Sequence, residues 1–258
     1  MEVRFVEAGR GWQWIIGGAV LFRKSPLMWA TLVLILYVAL KVLMRISLLG
    51  LIGILLLPIF LVGMMEGCKA LERGDQLQIG HLLSGFRTNA APLITLGGIS
   101  LVGNLLIALI IQAIGGDAMI TIMKFSGQTT IAPDAVESVR QAMSKAMLAA
   151  AVGAALSLPL MMALWFAPLL VWFNGMKPLQ AIVYSFWACW KNVLPFLVYG
   201  LVVLAALIMV MPVGLATQQV DLGLWMLGPI LIPTIYTSYK DIFRAGDPPA
   251  AGENPLPT

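Results

Sequence analysis

The stretch "LFRKSPLMW" at 21–29 has two near-copies in the same chain, "GFRTNAAPLI" at 85–94 and "CWKNVLPFLV" at 189–198. Each passes from an aromatic residue through a basic one and small polar residues to a proline that opens an apolar run. Proline is tolerated in the first turn of a helix, where its missing N–H has no intrahelical partner anyway. The phrase therefore reads as the entry to a helix, and each run that follows is long and apolar enough to cross a bilayer.

Composition agrees. Of 258 residues, 60% are hydrophobic and 11% charged, and the mean hydropathy is +0.93. A soluble globular chain is about 45–50% apolar and about 25% charged, so this one belongs in a membrane. The net charge of +4 is too small and too dispersed for nucleic-acid binding, so no nucleic-acid partner is expected. The N-terminal "WQWIIGGAVLF" is short, meets Arg23-Lys24 and lacks a small-residue cleavage site, so neither a signal peptide nor a lipid anchor is expected. Cys68 and Cys189 form no metal or redox pattern and read as small apolar residues.

Six spans are predicted, at about 27–44, 46–65, 92–114, 146–173, 193–211 and 222–239, within one transmembrane domain over 1–245. Pro26, Pro92 and Pro195 open the odd-numbered spans. Pro58, Pro159 with Pro168, and Pro229 with Pro233 lie inside the even-numbered ones, where they kink helices and free carbonyls for neighbours. The regular proline spacing reads as a three-fold repeat of span pairs, with an insertion at about 115–145 in the middle copy. The fold class is all-α: a helical membrane bundle of about six spans in three pairs.

Before each opening proline lies a short segment with apolar residues at helical period: Trp12, Ile15, Ile16, Ala19 and Phe22; Ile79, Leu82, Leu83 and Phe86; Leu179, Ile182, Val183, Phe186 and Trp190. Such helices suit the membrane interface. The basic residues that follow (Arg23 and Lys24, Arg87, Lys191) fall where a lipid phosphate would lie. Ser25, Thr88 with Asn89, and Asn192 are expected to cap the next helix. The repeated phrase is thus a corner, where a helix lying on the membrane turns and enters it.

Eleven of the sixteen Lys and Arg fall in 1–26, 66–91, 174–192 and 240–258. The other five are Lys41, Arg45, Lys124, Arg140 and Lys145. The excess predicts cytoplasmic termini and corners and a periplasmic insertion, with Lys41 and Arg45 snorkelling outward. In the insertion, Asp134 and Glu137 read as a capping box for a helix continuing into span four. The tail, 246–258, reads as a disordered cytoplasmic segment.

Chemistry is sparse. His81 is the one histidine, and no phosphate-cradling glycine loop occurs. Glu66 and Lys69, at i, i+3, are placed to pair. Asn104 is the most central polar residue of the spans, with Gln112, Ser157 and Asn174 nearer helix ends or in small-residue stretches. Gly97, Gly98 and Gly103, and the pairs Ala149/Gly153 and Ala150/Ala154, permit close helix packing, within the chain or between copies.

The segments "VRFVEAGRGWQWIIGGAVLFRKSPLMW", "GCKALERGDQLQIGHLLSGFR" and "PLQAIVYSFWACWKN" resemble a family of polytopic, six-span inner-membrane proteins of proteobacteria. The resemblance covers most of 3–243 apart from the insertion. It implies location and architecture and brings no reaction and no functional residues with it.

Three functions compete. The first, preferred on the sequence, is a non-enzymatic membrane component that binds lipid, a protein partner or a second copy through its corners. The second is a small transporter or channel for an uncharged or amphipathic compound, with Asn104 on a path lined by the proline-kinked spans. The third, an intramembrane enzyme, would have to rely on Glu66 and His81, and the missing nucleophile–base or metal constellation argues against it. No catalytic residue, cofactor or metal site is expected.

Overall fold

The computed structural model describes residues 3–87, 90–125, 135–219 and 221–243. Among them there is no strand, and the chain is an all-α bundle of ten α-helices: α1 (Arg10–Lys24), α2 (Pro26–Met44), α3 (Ser47–Glu72), α4 (Ser84–Arg87), α5 (Ala91–Phe125), α6 (Val136–Trp165), α7 (Ala167–Asn174), α8 (Pro178–Lys191), α9 (Val193–Ala216) and α10 (Leu222–Phe243). Five segments are long and apolar enough to span a bilayer: Pro26–Met44, Leu49–Glu72, Ala91–Phe125, Val136–Asn174 and Val193–Ala216. The sixth expected span is α10. Its second half carries Tyr236, Thr237, Ser238, Tyr239, Lys240 and Asp241, so it is less apolar, and it packs centrally against α1, α9, α2 and α3.

The opening prolines stand where expected. Pro26 begins α2, Pro92 is the second residue of α5 and Pro195 the third of α9. Span four breaks at Phe166, because Pro168 cannot donate to the carbonyl four residues back and its ring crowds it. The expected insertion is largely helix. α5 runs 35 residues without a break, well past Ile114, and α6 runs 30, giving an antiparallel hairpin. At about 1.5 Å per residue α5 is about 52 Å long, against about 30 Å of hydrocarbon, so the hairpin projects from the membrane. Asp134 lies outside the described residues. The expected capping box lies there with it, and among the described residues the Glu137 carboxylate accepts from Arg140 and Gln141.

Small residues set the helix spacing within the chain. Gly97 lies against the Leu55 backbone of α3, and a Cβ there would overlap the Leu55 carbonyl. On α6, Ala149 and Gly153 are buried against Gly115 and Ile111 of α5. These stripes therefore serve intra-chain packing. The core around them is built on Trp14, Trp29, Ile59, Met64, Leu93, Leu96, Phe166, Leu169 and Tyr239, all nearly inaccessible.

Candidate functional site

The three corners differ from one another. The first and third are helices, α1 and α8, each followed after one residue by a span. The second is a 3-10 turn (Ile79–Leu83) followed by the four-residue α4, not a continuous amphipathic helix. The Gln78 and His81 side chains close this turn reciprocally, with the Gln78 N–H donating to His81 Nδ1 at 3.0 Å. Gly63 and Gly85 bring it onto the backbone of α3, which holds its chain path.

Each corner has two faces. The protein side of α1 is Gly11, Trp14, Gly18 and Leu21, and that of α8 is Ala181, Ser185, Ala188 and Cys189. A second set of large apolar residues points away: Trp12, Ile16 and Val20; Ile79, Leu83 and Phe86; Leu179, Val183, Trp187 and Trp190 are all exposed. The small residues let the corners approach the protein closely, and Trp14, Leu21 and Leu82 are buried beside them.

Arg23, Arg87 and Lys191 are exposed at the ends of these corners, and no hydrogen bond or ion pair joins any two of them. Lys24 is different. Its Nζ donates to the Leu71 carbonyl at 2.7 Å, serving the last turn of α3. The first and third of the expected caps are not made. Ser25 and Asn192 occupy cap positions without a side-chain cap bond, and Thr88 and Asn89 lie outside the described residues. Fully buried Asn192 instead clamps the N-terminal segment: its Oδ1 accepts from Val6 N–H at 2.8 Å, and its Nδ2 donates to the Arg4 and Ala188 carbonyls at 2.9 Å.

Sequence reasoning missed the long-range polar network around α10. Arg10 donates twice to Asp241, each bond 2.7 Å, and Trp14 Nε1 donates to the same carboxylate at 2.8 Å. The carboxylate raises the Arg10 pKa above its ordinary value through these hydrogen bonds. Glu72 receives Tyr236 at 2.9 Å and Lys240 at 3.0 Å, and Tyr239 donates to Asn174. The expected Glu66–Lys69 pair is absent, because Glu66 accepts from Trp172 Nε1 at 2.7 Å while Lys69 lies over the Phe173 ring. Lys41 pairs with Asp221 at 2.8 Å rather than snorkelling free. The spacing Tyr236, Tyr239, Lys240, Phe243 on one helix face was the available signal for this network.

Asn104 sits on α5 with its Nδ2 donating to the Ser100 carbonyl at 2.8 Å. It lines a cleft of about 660 Å³ between α3, α5, α6 and α10, with Ser100, Ser157, Met161, Trp165 and Ile235 among the walls. A second space of about 330 Å³ shares Leu61, Ser100 and Leu164 with it and is walled by Pro58, Pro168 and Trp225. Proline-bearing helices thus flank both spaces. Among the described residues no three His, Cys, Asp or Glu side chains gather as metal ligands, and Cys68 and Cys189 are buried free thiols.

No family model and no solved structure matches the chain. It is 32% identical, over 271 aligned positions covering 97% of each chain, to a protein of Burkholderia thailandensis named a probable inner membrane protein. With that likeness running almost end to end over an all-α bundle of membrane-spanning helices, the chain belongs to this family of polytopic inner-membrane proteins.

Proposed function

We propose that the protein is a non-enzymatic component of the inner membrane that binds anionic lipid through its three corners, with the corners and both termini on the cytoplasmic side. The observation that carries this is the common build of α1, the 79–87 turn and α8. Each leaves a set of large apolar side chains exposed beside its protein-packed face and ends in an exposed cation at Arg23, Arg87 or Lys191. Aromatic and aliphatic side chains beside a cation suit the headgroup boundary, where each Lys or Arg adds about 1 kcal/mol of attraction to anionic lipid. Lys24, engaged with Leu71, contributes to the corner's shape. The three corners are read as variants of one repeated amphipathic unit.

The test is lipid retention by the purified protein in nanodiscs of mixed zwitterionic and anionic phospholipid. Replacing Arg23, Arg87 and Lys191 together by Gln is expected to abolish the enrichment of anionic lipid. A protein partner or second copy on the same surfaces would instead appear as co-purifying chain, with lipid retention unchanged by the variant.

A second reading, passage of an uncharged or amphipathic compound, is favoured by one observation: the cleft holding Asn104 is flanked by proline-bearing α3, α6 and α10. Asn104→Leu is expected to stop such passage in proteoliposomes while the protein remains folded.

A further inference from the structure

Ser100 and Ser157 differ from the other hydroxyls of the spans. Thr31, Thr95, Thr217 and Ser238 each donate to a carbonyl three or four residues earlier on their own helix. That is the usual way a hydroxyl is satisfied in hydrocarbon. Ser100 Oγ has a single long contact, received from Asn104 Nδ2 at 3.4 Å, and Ser157 has no polar contact among the described residues. Asn104 has its Oδ1 free, and the buried Trp165 Nε1–H has no acceptor.

These four side chains line the same cleft. The Ser100 and Ser157 hydroxyls offer unused donors and Asn104 an unused acceptor, in a space otherwise walled by Leu61, Leu160, Met161 and Ile235. Lipid chains can satisfy none of these groups, and a buried unsatisfied polar group is costly. A charged ligand does not fit, because no charged side chain lines the cleft to compensate its desolvation. The complement of two hydroxyl donors in an apolar cleft is a neutral body carrying carbonyl oxygens. The volume of about 660 Å³ lies in the usual range for a small-molecule site. Leu158 and Met161 on its rim are exposed in a spanning segment, so entry is sideways from the bilayer.

We propose that this cleft binds a neutral, lipid-soluble molecule bearing one or more carbonyl oxygens, of the quinone or long-chain ketone kind. The proposal rests on the second reading above in taking the cleft as functional, but it requires binding alone and not passage.

The test is retention of a radiolabelled decyl-substituted benzoquinone and of a long-chain ketone by protein in phosphatidylcholine nanodiscs, over empty nanodiscs, with decylbenzene as the oxygen-free control. At least one carbonyl probe is expected to show saturable excess retention, and decylbenzene none. Ser157→Ala and Ser100→Ala are each expected to weaken that retention about three- to twentyfold, the loss of one membrane-embedded hydrogen bond. Ser144→Ala, on the projecting part of α6, is expected to leave it unchanged. Ser157→Ala should fold normally, which circular dichroism checks. No saturable retention of either carbonyl probe, equal retention of decylbenzene, or indifference to both cleft variants would overturn the proposal. Binding without transport in proteoliposomes would support the site and remove only the passage reading.

Discussion

Ser185 of α8 bridges the break between α6 and α7. Its Oγ accepts from the Phe166 N–H at 2.9 Å and donates to the Met162 carbonyl at 2.7 Å. These are the two groups that an unbroken helix would join to each other. A hydroxyl inserted into the ladder allows the Pro168 break without leaving backbone polar groups bare in a low-dielectric interior. Ser185 is completely buried, so Ser185→Ala leaves the pair without its bridge. The expected cost is about 1–3 kcal/mol, seen as a lower unfolding midpoint in detergent. Ser185→Thr keeps the hydroxyl and should lose less if the extra methyl fits; equal losses would mean that packing, not the bridge, is what matters.

Gly97 and Gly98 are neighbours with opposite expected sensitivities. A side chain at Gly97 meets the Leu55 backbone, whereas at Gly98 the nearest atom is a Leu55 methyl 3.9 Å from an added Cβ. Gly97→Ala should destabilise by at least about 1–3 kcal/mol, because helix backbones must part. Gly98→Ala should be neutral or slightly stabilising through better helix propensity. Thermal unfolding of the two variants side by side checks this, and similar midpoints would contradict the close α3–α5 approach.

Asp241 receives three side-chain hydrogen bonds from α1 while remaining only 12% exposed. Asp241→Asn removes the charge and at least one acceptor, and should cost about 1–3 kcal/mol. It should also free the N-terminal segment, measurable as faster hydrogen exchange in residues 4–14. Breaking the half-exposed Lys41–Asp221 pair should leave unfolding unchanged.

The start of α6 carries a pH signature. Hydrogen bonds from Arg140 and Gln141 hold the Glu137 carboxyl at about 2, below its ordinary value of 4.5. A depressed carboxyl pKa contributes stability above the unfolded value and loses it as pH falls through the folded one. Order in the first turn of α6 should therefore be constant above about pH 5 and decline from about pH 4.5 towards 2. Carboxyl chemical shifts across a titration check this. Arg140→Gln should move the Glu137 midpoint upward.

The helix starts near Pro26, Pro92 and Pro195 were legible in the sequence because proline is tolerated in a helix's first turn. Span three was expected over about 92–114, whereas α5 continues through Gly115 and Gly116, with Gly115 close against Ala149. The corner stripes were visible but not their roles. Trp12 and Trp190 face outward, and the inconspicuous Gly11, Gly18, Ala181 and Ala188 share the protein contact with buried Trp14 and Leu21, a choice of face that the apolar period alone does not make. Asn192 looked like a cap because the residue type fits, and its true partners lie near the other end of the chain. Asp241 and Arg10, 231 positions apart, are joined only by the fold.

The most direct test of the central claim is native mass spectrometry of the wild-type protein and the Arg23→Gln, Arg87→Gln, Lys191→Gln triple variant, each released from nanodiscs of the same mixed-lipid composition. The account predicts anionic phospholipid at fixed stoichiometry on the wild type and its loss from the triple variant, with both proteins equally folded. Identical lipid occupancy in the two would contradict it.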